Sequence, residues 1–227
     1  MDTPATSREH AASKKESPFV LGICGAACSG KSAIVKYIRK KFAFDHYVIE
    51  CLQEIEFYSA TPPAAYSLDD YAAYDWKKME ETVERLCAGQ GAEFMSFDRE
   101  QMVSYAQQRC VKPCQVLVLQ GAYFLNRPAL AAACSLKVYL DTDPDELLTR
   151  FIRRYKAQIA LDELLEAYLK RVKPAREMRT ESCRARADFV LCNFDGHAKS
   201  LVEMKRQFPV IHVLKEYLRA HLSQQEL

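Results

Sequence analysis

The chain lacks several features that would place it in a specialised class. Its 227 residues contain no apolar run long enough to span a bilayer, which excludes a membrane-spanning helix. No internal repeat is visible, and there is no low-complexity tract beyond the first residues. Net charge is nearly absent, at +2, which argues against a dedicated nucleic-acid binder. The opening MDTPATSREHAASKKESP has no apolar signal core, so 1–17 reads as a disordered leader. Asp2, Glu9 and Glu16 disfavour an organellar presequence, and the terminal Gln-Glu-Leu is not a peroxisomal signal. No CxxC pair occurs among nine cysteines. Cys24/Cys28 and Cys110/Cys114 are four apart, with no nearby histidine to complete a zinc site. The thiols read as reduced, most of them as small core residues. A cytoplasmic protein with small-molecule partners, no nucleic acid and no membrane is expected, and the composition is compatible with a homo-oligomer.

What is present is ordinary for a globular protein: 49% hydrophobic and 27% charged residues, enough for one domain over 18–227. The charge is unevenly spread. Residues 150–186 hold eleven of the 32 Lys and Arg but only five of the 30 Asp and Glu, which suits either a polyanionic ligand or a solvated basic helix face. Five apolar segments predict strands: 19–24, 47–51, 116–120, 136–141 and 188–192. Helical spacing appears over 31–42, 75–88 and 161–173, the last ending before Pro174. Continuous apolar strands alternating with helices predict an α/β fold with a mostly parallel five-stranded sheet covered on both faces.

Between the first strand and the first helix stands Gly25-Ala26-Ala27-Cys28-Ser29-Gly30-Lys31-Ser32, which fits G-x-x-x-x-G-K-[ST]. Glycines at both ends let successive N–H groups turn inward on phosphate oxygens, and the following helix adds the positive end of its dipole. Lysine reaches the β and γ phosphates, and the serine hydroxyl ligates magnesium. The motif in this strand–helix setting predicts a P-loop NTPase fold that binds ATP and Mg2+. Cys28, next to the helix start, reads as a small side chain that fits the loop.

Further segments narrow the choice. VLVLQGAYFL (116–125) is a buried strand ending in Gln120 and Gly121. LKVYLDTDPDELLTRFIRR holds a strand, an Asp-Thr-Asp turn and two arginines, Arg150 and Arg154, and Val172-Lys173-Pro174 precedes the last strand. In this order the chain resembles the uridine kinase family of P-loop kinases from about residue 19 to about 195, and nicotinamide riboside kinase more distantly. The resemblance implies transfer of the ATP γ-phosphate to a nucleoside hydroxyl. It implies lid arginines at 150 and 154 in a short helical lid over about 150–176. It also implies a ribose-holding aspartate at Asp69 and a base-binding segment at Phe97-Asp98, with Met102 where the family has a histidine. The catalytic Asp of the family falls on Glu54 when Gln-acid is aligned, and next to Glu56 when Phe-Tyr is aligned. Either glutamate can take the hydroxyl's proton.

The main departure is Gln120, where the family has a glutamate beside the magnesium. An amide keeps a hydrogen-bond acceptor but loses the negative charge. Altered base-binding positions leave the acceptor open between a nucleoside and another small hydroxyl compound. Three readings follow: an ATP-dependent nucleoside-type kinase, a catalytically weak or inactive nucleotide-binding relative, and a nucleoside-monophosphate kinase. The last needs acceptor-side arginines, for which Arg85, Arg99 and Arg109 are placed.

Overall fold

The computed structural model describes residues 17–43, 47–60, 70–98, 103–192, 216 and 220. Residues 1–16 of the expected leader, Asp69, Arg99, Met102 and nearly all of 197–227 lie outside them.

The five expected strands form one sheet. β1 (Phe19–Gly25), β2 (Ile49–Gln53), β5 (Val116–Gly121), β6 (Leu136–Asp141) and β7 (Phe189–Cys192) are parallel in the order β2-β5-β1-β6-β7. β1 and β5 are buried throughout because helices cover both faces, which is why they read as unbroken apolar runs. Alternate residues divide between two cores. Phe19, Leu21, Ile23, Val116 and Val118 pack under α1 (Lys31–Ala43) against Ile34, Val35 and Ile38. Val20, Cys24, Leu117 and Leu119 face α2 (Trp76–Cys87) and α3 (Pro128–Ala133) through Met79, Val83, Leu86 and Leu130. Each such side chain contributes about 1.5–3 kcal/mol by leaving water. On that second face Gly22 admits Phe124 and Cys134: a Cβ there would stand 2.9 Å from the Cys134 sulfur.

After β6 comes α4 (Pro144–Tyr155), then a helical run of α5 (Leu161–Ala167), α6 (Lys173–Ala175) and α7 (Glu181–Arg184), interrupted by π-helical turns at Tyr168–Val172 and Arg176–Thr180. Phe151, Leu164, Tyr168 and Val172 make a small separate core that also touches Ala27 and Cys28 of the phosphate loop.

The sequence gives little sign of the antiparallel hairpin of β3 (Ala92–Asp98) and β4 (Val103–Val111). β4 is exposed along most of its length, so VSYAQQRCV has no apolar face to betray it. The hairpin is anchored by Phe94, stacked on Phe57 at 4.5 Å. All nine cysteines are free; Cys24, Cys51, Cys134 and Cys183 are buried, Cys28, Cys87 and Cys114 pack partly buried against the cores, and Cys110 and Cys192 are exposed.

Candidate functional site

β1 delivers the chain into a turn in which Gly25, Cys28 and Gly30 all take positive φ, at 157°, 64° and 97°. Gly25 also lies too close to its neighbours for a side chain: a Cβ would meet the Leu140 carbonyl oxygen and Ser29 Oγ, both at 2.9 Å. Cys28 holds a left-handed backbone at a cost of about 1–2 kcal/mol. The loop around it is fixed by Thr142, which donates to the Ser29 carbonyl, and by Arg150 Nη1, which donates to the Cys28 carbonyl at 3.3 Å. The Asp141-Thr142-Asp143 turn thus supports the phosphate loop directly.

Lys31 folds over this loop, with Nζ 2.8 Å from the Gly25 carbonyl and 2.7 Å from that of Ala26. Burial lowers its affinity for the proton, and the nearby Glu54 carboxylate partly opposes that effect. One residue on, Ser32 Oγ accepts a hydrogen bond from Gln120 Nε2 at 2.9 Å. The strand order makes this contact, since Gln120 is in register with Ile23 on one side and Gln53 on the other.

Glu54 turns inward. It begins a 3-10 turn (Glu54–Phe57) after β2, is only 3% exposed, and lays its carboxylate over Gly121. The Ala122 N–H donates to Oε1 at 3.2 Å, and the Tyr123 and Phe124 N–H groups donate to Oε2 at 2.8 Å each. Glycine at 121 is required, because a Cβ there would stand 2.2 Å from Oε2. Burial pushes the Glu54 carboxyl up to about 7, against the opposing pull of three N–H donors and the Lys31 charge.

These groups border one cavity of about 370 Å³. Residues 27–33 of the phosphate loop form one wall; Gln53, Glu54, Gln120 and Gly121 form the strand-end wall; Arg150 and Arg154 of α4 approach from the third side. Arg150 is anchored by Glu146 at 2.8 Å, and its buried Nη2 has no hydrogen-bond partner among the described residues. An unsatisfied guanidinium donor is thus buried in a residue that borders the cavity.

Other sequence candidates stand elsewhere. Glu56 does not border this cavity; its carboxylate accepts from the Gln53 N–H at 2.7 Å and from Arg109 Nε at 3.2 Å. Phe97 is 5% exposed, packed edge-on to Tyr58, and Asp98 ends β3; neither lines the cavity. Instead Ile55, Tyr74 and Tyr123 do, with Phe151 and Tyr155 on the α4 side. Tyr123 stands two residues past Gly121 and could have been found from the strand-end pattern. Tyr74 arrives through an isolated bridge to Tyr58, a long-range pairing that no local pattern reveals. No helix among the described residues is long and apolar enough to cross a membrane.

A parallel sheet of this order, with the phosphate loop between its central strand and α1 and strand-end side chains opposite it, defines the P-loop kinase fold. Solved structures share the fold. D-glycerate 3-kinase from Cryptococcus neoformans superposes with a TM-score of 0.59 at 12% identity, covering 78% of this chain and 86% of that one. Shikimate kinase from Bacteroides thetaiotaomicron gives 0.52 at 14%, covering 87% and 98%. More particularly, the chain belongs to the Phosphoribulokinase / Uridine kinase family, which its sequence matches over residues 20–195. A uridine kinase from Halobacterium salinarum is 27% identical over 178 residues, 76% of this chain and 79% of that protein. A uridine kinase from Clostridium perfringens is 26% identical over 212 residues, 88% and 97%. The 28% identical uridine kinase-like protein 5 of Arabidopsis thaliana is longer, and the match spans 77% of this chain but only 39% of it.

Proposed function

We propose that the protein is an ATP-dependent phosphotransferase that moves the γ-phosphate of ATP to a hydroxyl of a nucleoside or similar small molecule. The observation that carries this reading is the convergence in one cavity of the phosphate loop, Lys31, Ser32 and the α4 arginines Arg150 and Arg154. On nucleotide binding, Lys31 exchanges the Gly25 and Ala26 carbonyls for phosphate oxygens, and the loop N–H groups hold the remaining ones. Arg150 and Arg154 offset charge on the transferred group, and the helical segment over 150–176 serves as the lid. Ser32 and Gln120 are the residues that would hold magnesium, whose chemistry is to neutralise phosphate charge and align the phosphates. The donor set suits an ion that keeps several waters, since the chain offers it one hydroxyl and one amide. Relatives named uridine kinase support a nucleoside-type acceptor.

A second reading, a nucleotide-binding protein with weak or no catalysis, draws on two observations. Gln120 brings no charge to Ser32, and Glu54 has both oxygens engaged by backbone N–H groups. The test is thermal unfolding with magnesium-ATP, followed by an ADP-release screen over nucleosides and other hydroxyl compounds. Stabilisation by ATP is expected, and Lys31→Ala should weaken ATP binding at least tenfold. Stabilisation indifferent to Lys31→Ala refutes the nucleotide site. Clear ATP binding with no product from any acceptor selects the second reading.

A further inference from the structure

Among the described residues that border the nucleotide cavity, Glu54 carries the only carboxylate. A carboxylate has about four acceptor positions, and three of them here take backbone N–H groups, from Ala122, Tyr123 and Phe124. These donors belong to one turn of main chain and cannot swing away as a hydroxyl or an ammonium can. Gly121 completes the fit. Its φ is not among the positive values found at Gly25, Gly30 and Gly89, so its backbone does not call for glycine. The carboxylate does: a Cβ at 121 would stand 2.2 Å from Glu54 Oε2 and 2.7 Å from Cδ.

The turn held in this way is a junction. The Ala122 peptide is bonded at both ends, since its carbonyl accepts from the Cys24 thiol at 3.3 Å and the Cys183 thiol at 3.6 Å. Burial raises the Cys24 pKa and keeps that thiol a donor. Cys24 directly precedes Gly25 of the phosphate loop, and Cys183 lies in α7 at the end of the helical run. Before the turn comes Gln120, bonded to Ser32. Within it, Tyr123 borders the cavity and meets Tyr71 and Tyr74 edge-on at 6.0 and 6.1 Å. One carboxylate thus ties together the ends of β2, β5 and β1 beside the phosphate loop.

We propose that Glu54 is a positioning residue, a fixed internal anion that holds the Gly121–Phe124 turn and, through it, Gln120 and Tyr123 against the phosphate loop. The inference rests on the kinase reading above and gives Glu54 a part in it other than proton transfer. What the carboxylate supplies is geometry, which another small anion seated on the same N–H groups can also supply.

The test uses the full chain and Glu54→Ala, in which the three N–H groups face an emptied space beside the cavity. Formate, acetate and nitrate are compared at constant ionic strength made up with chloride. All measurements run well above pH 7, where the wild-type carboxylate is ionised. Without nucleotide, formate and nitrate should raise the unfolding temperature of the variant and leave that of the wild type as in chloride. Trp76, the only tryptophan, lies 4.7 Å from the Tyr71 ring and 5.1 Å from that of Tyr74, so its emission reports on the aromatic wall. That emission should shift in Glu54→Ala and return with either anion. With magnesium-ATP and the most active acceptor of the screen, kcat should fall at least tenfold, and nitrate should restore it as well as formate does. Rescue by formate and acetate but not by nitrate, which is no base, identifies a proton acceptor and overturns the proposal. An anion that stabilises the variant but restores neither emission nor turnover overturns it too, as does the absence of any anion response. Glu54→Gln decides the matter if the alanine variant does not fold. It keeps an oxygen for the Tyr123 and Phe124 N–H groups and cannot take a proton, so kcat should stay within tenfold of wild type; a larger fall overturns the proposal. Failure of the kinase reading appears in the wild type itself, as no stabilisation by magnesium-ATP, and the thermal and emission arms still decide the role of Glu54.

Discussion

The carboxylate of Glu54 lies within a ring of three backbone N–H groups, yet its burial is deep enough to raise it to about 7. The consequence for stability has a definite sign. In the unfolded chain the group ionises near 4.5, so between that pH and about 7 the folded state binds more protons than the unfolded one. Stability from this group is therefore complete below pH 4.5 and is lost as pH rises through 7, by about 3 kcal/mol in all. Urea unfolding at a series of pH values should show this decline in the wild type, and the difference from Glu54→Gln, which has no proton to lose, should carry most of it. Parallel curves for the two proteins would mean that Glu54 ionises normally in the fold. In the sequence, Glu54 and Glu56 are equivalent candidates two positions apart. The structure separates them: one faces backbone N–H groups across Gly121, the other an arginine 53 residues away.

At the scale of elements, α4 joins the phosphate loop to the helical run that follows it. Its N-cap is Asp143, whose side chain accepts from the Asp145 N–H at 2.8 Å and the Glu146 N–H at 3.3 Å, with Pro144 at the first helical position. Asp143→Ala should cost about 1 kcal/mol of unfolding free energy. Because Glu146 anchors Arg150, the change should also weaken ATP-induced stabilisation, whereas Asp143→Asn should keep most of both. Equal loss in the two variants would assign the effect to charge rather than capping. The cap and proline stand in adjacent sequence and are readable there, as are the apolar strands and the α2 periodicity. The β3–β4 hairpin is not, because its outer strand is solvated and Ser96 takes an inward position through a hydrogen bond to the Gln107 carbonyl. Nor are the π-helical turns after α5, which depend on how that run packs.

At the scale of the molecule, the placement of β5 between β1 and β2 brings Gln120 to Ser32, 88 residues apart in sequence. Gln120→Glu is a test at this scale, since the new carboxylate would accept a hydrogen bond from the Ser32 hydroxyl and add the charge that holds a divalent cation. Thermal stabilisation by ATP should then saturate at lower magnesium, and ADP release should rise if catalysis is attenuated by the amide alone. No change in either would mean that the site has lost catalysis through other positions.

The sequence by itself determines the five strands of the parallel sheet, the phosphate loop with Lys31 and Ser32, and the Asp-Thr-Asp turn before the two arginines. These are local matters: a run of apolar residues, an eight-residue loop and a cap each carry their physics within a few positions of chain. Only the tertiary structure decides that Glu54 is held over Gly121, that Phe97 joins the core while Tyr74 lines the cavity, and that Lys36, Arg39 and Arg109 share a recess. Each of these depends on strand order and on backbone N–H groups supplied by distant segments. Their directions are set by packing across the sheet, which spacing along the chain does not encode.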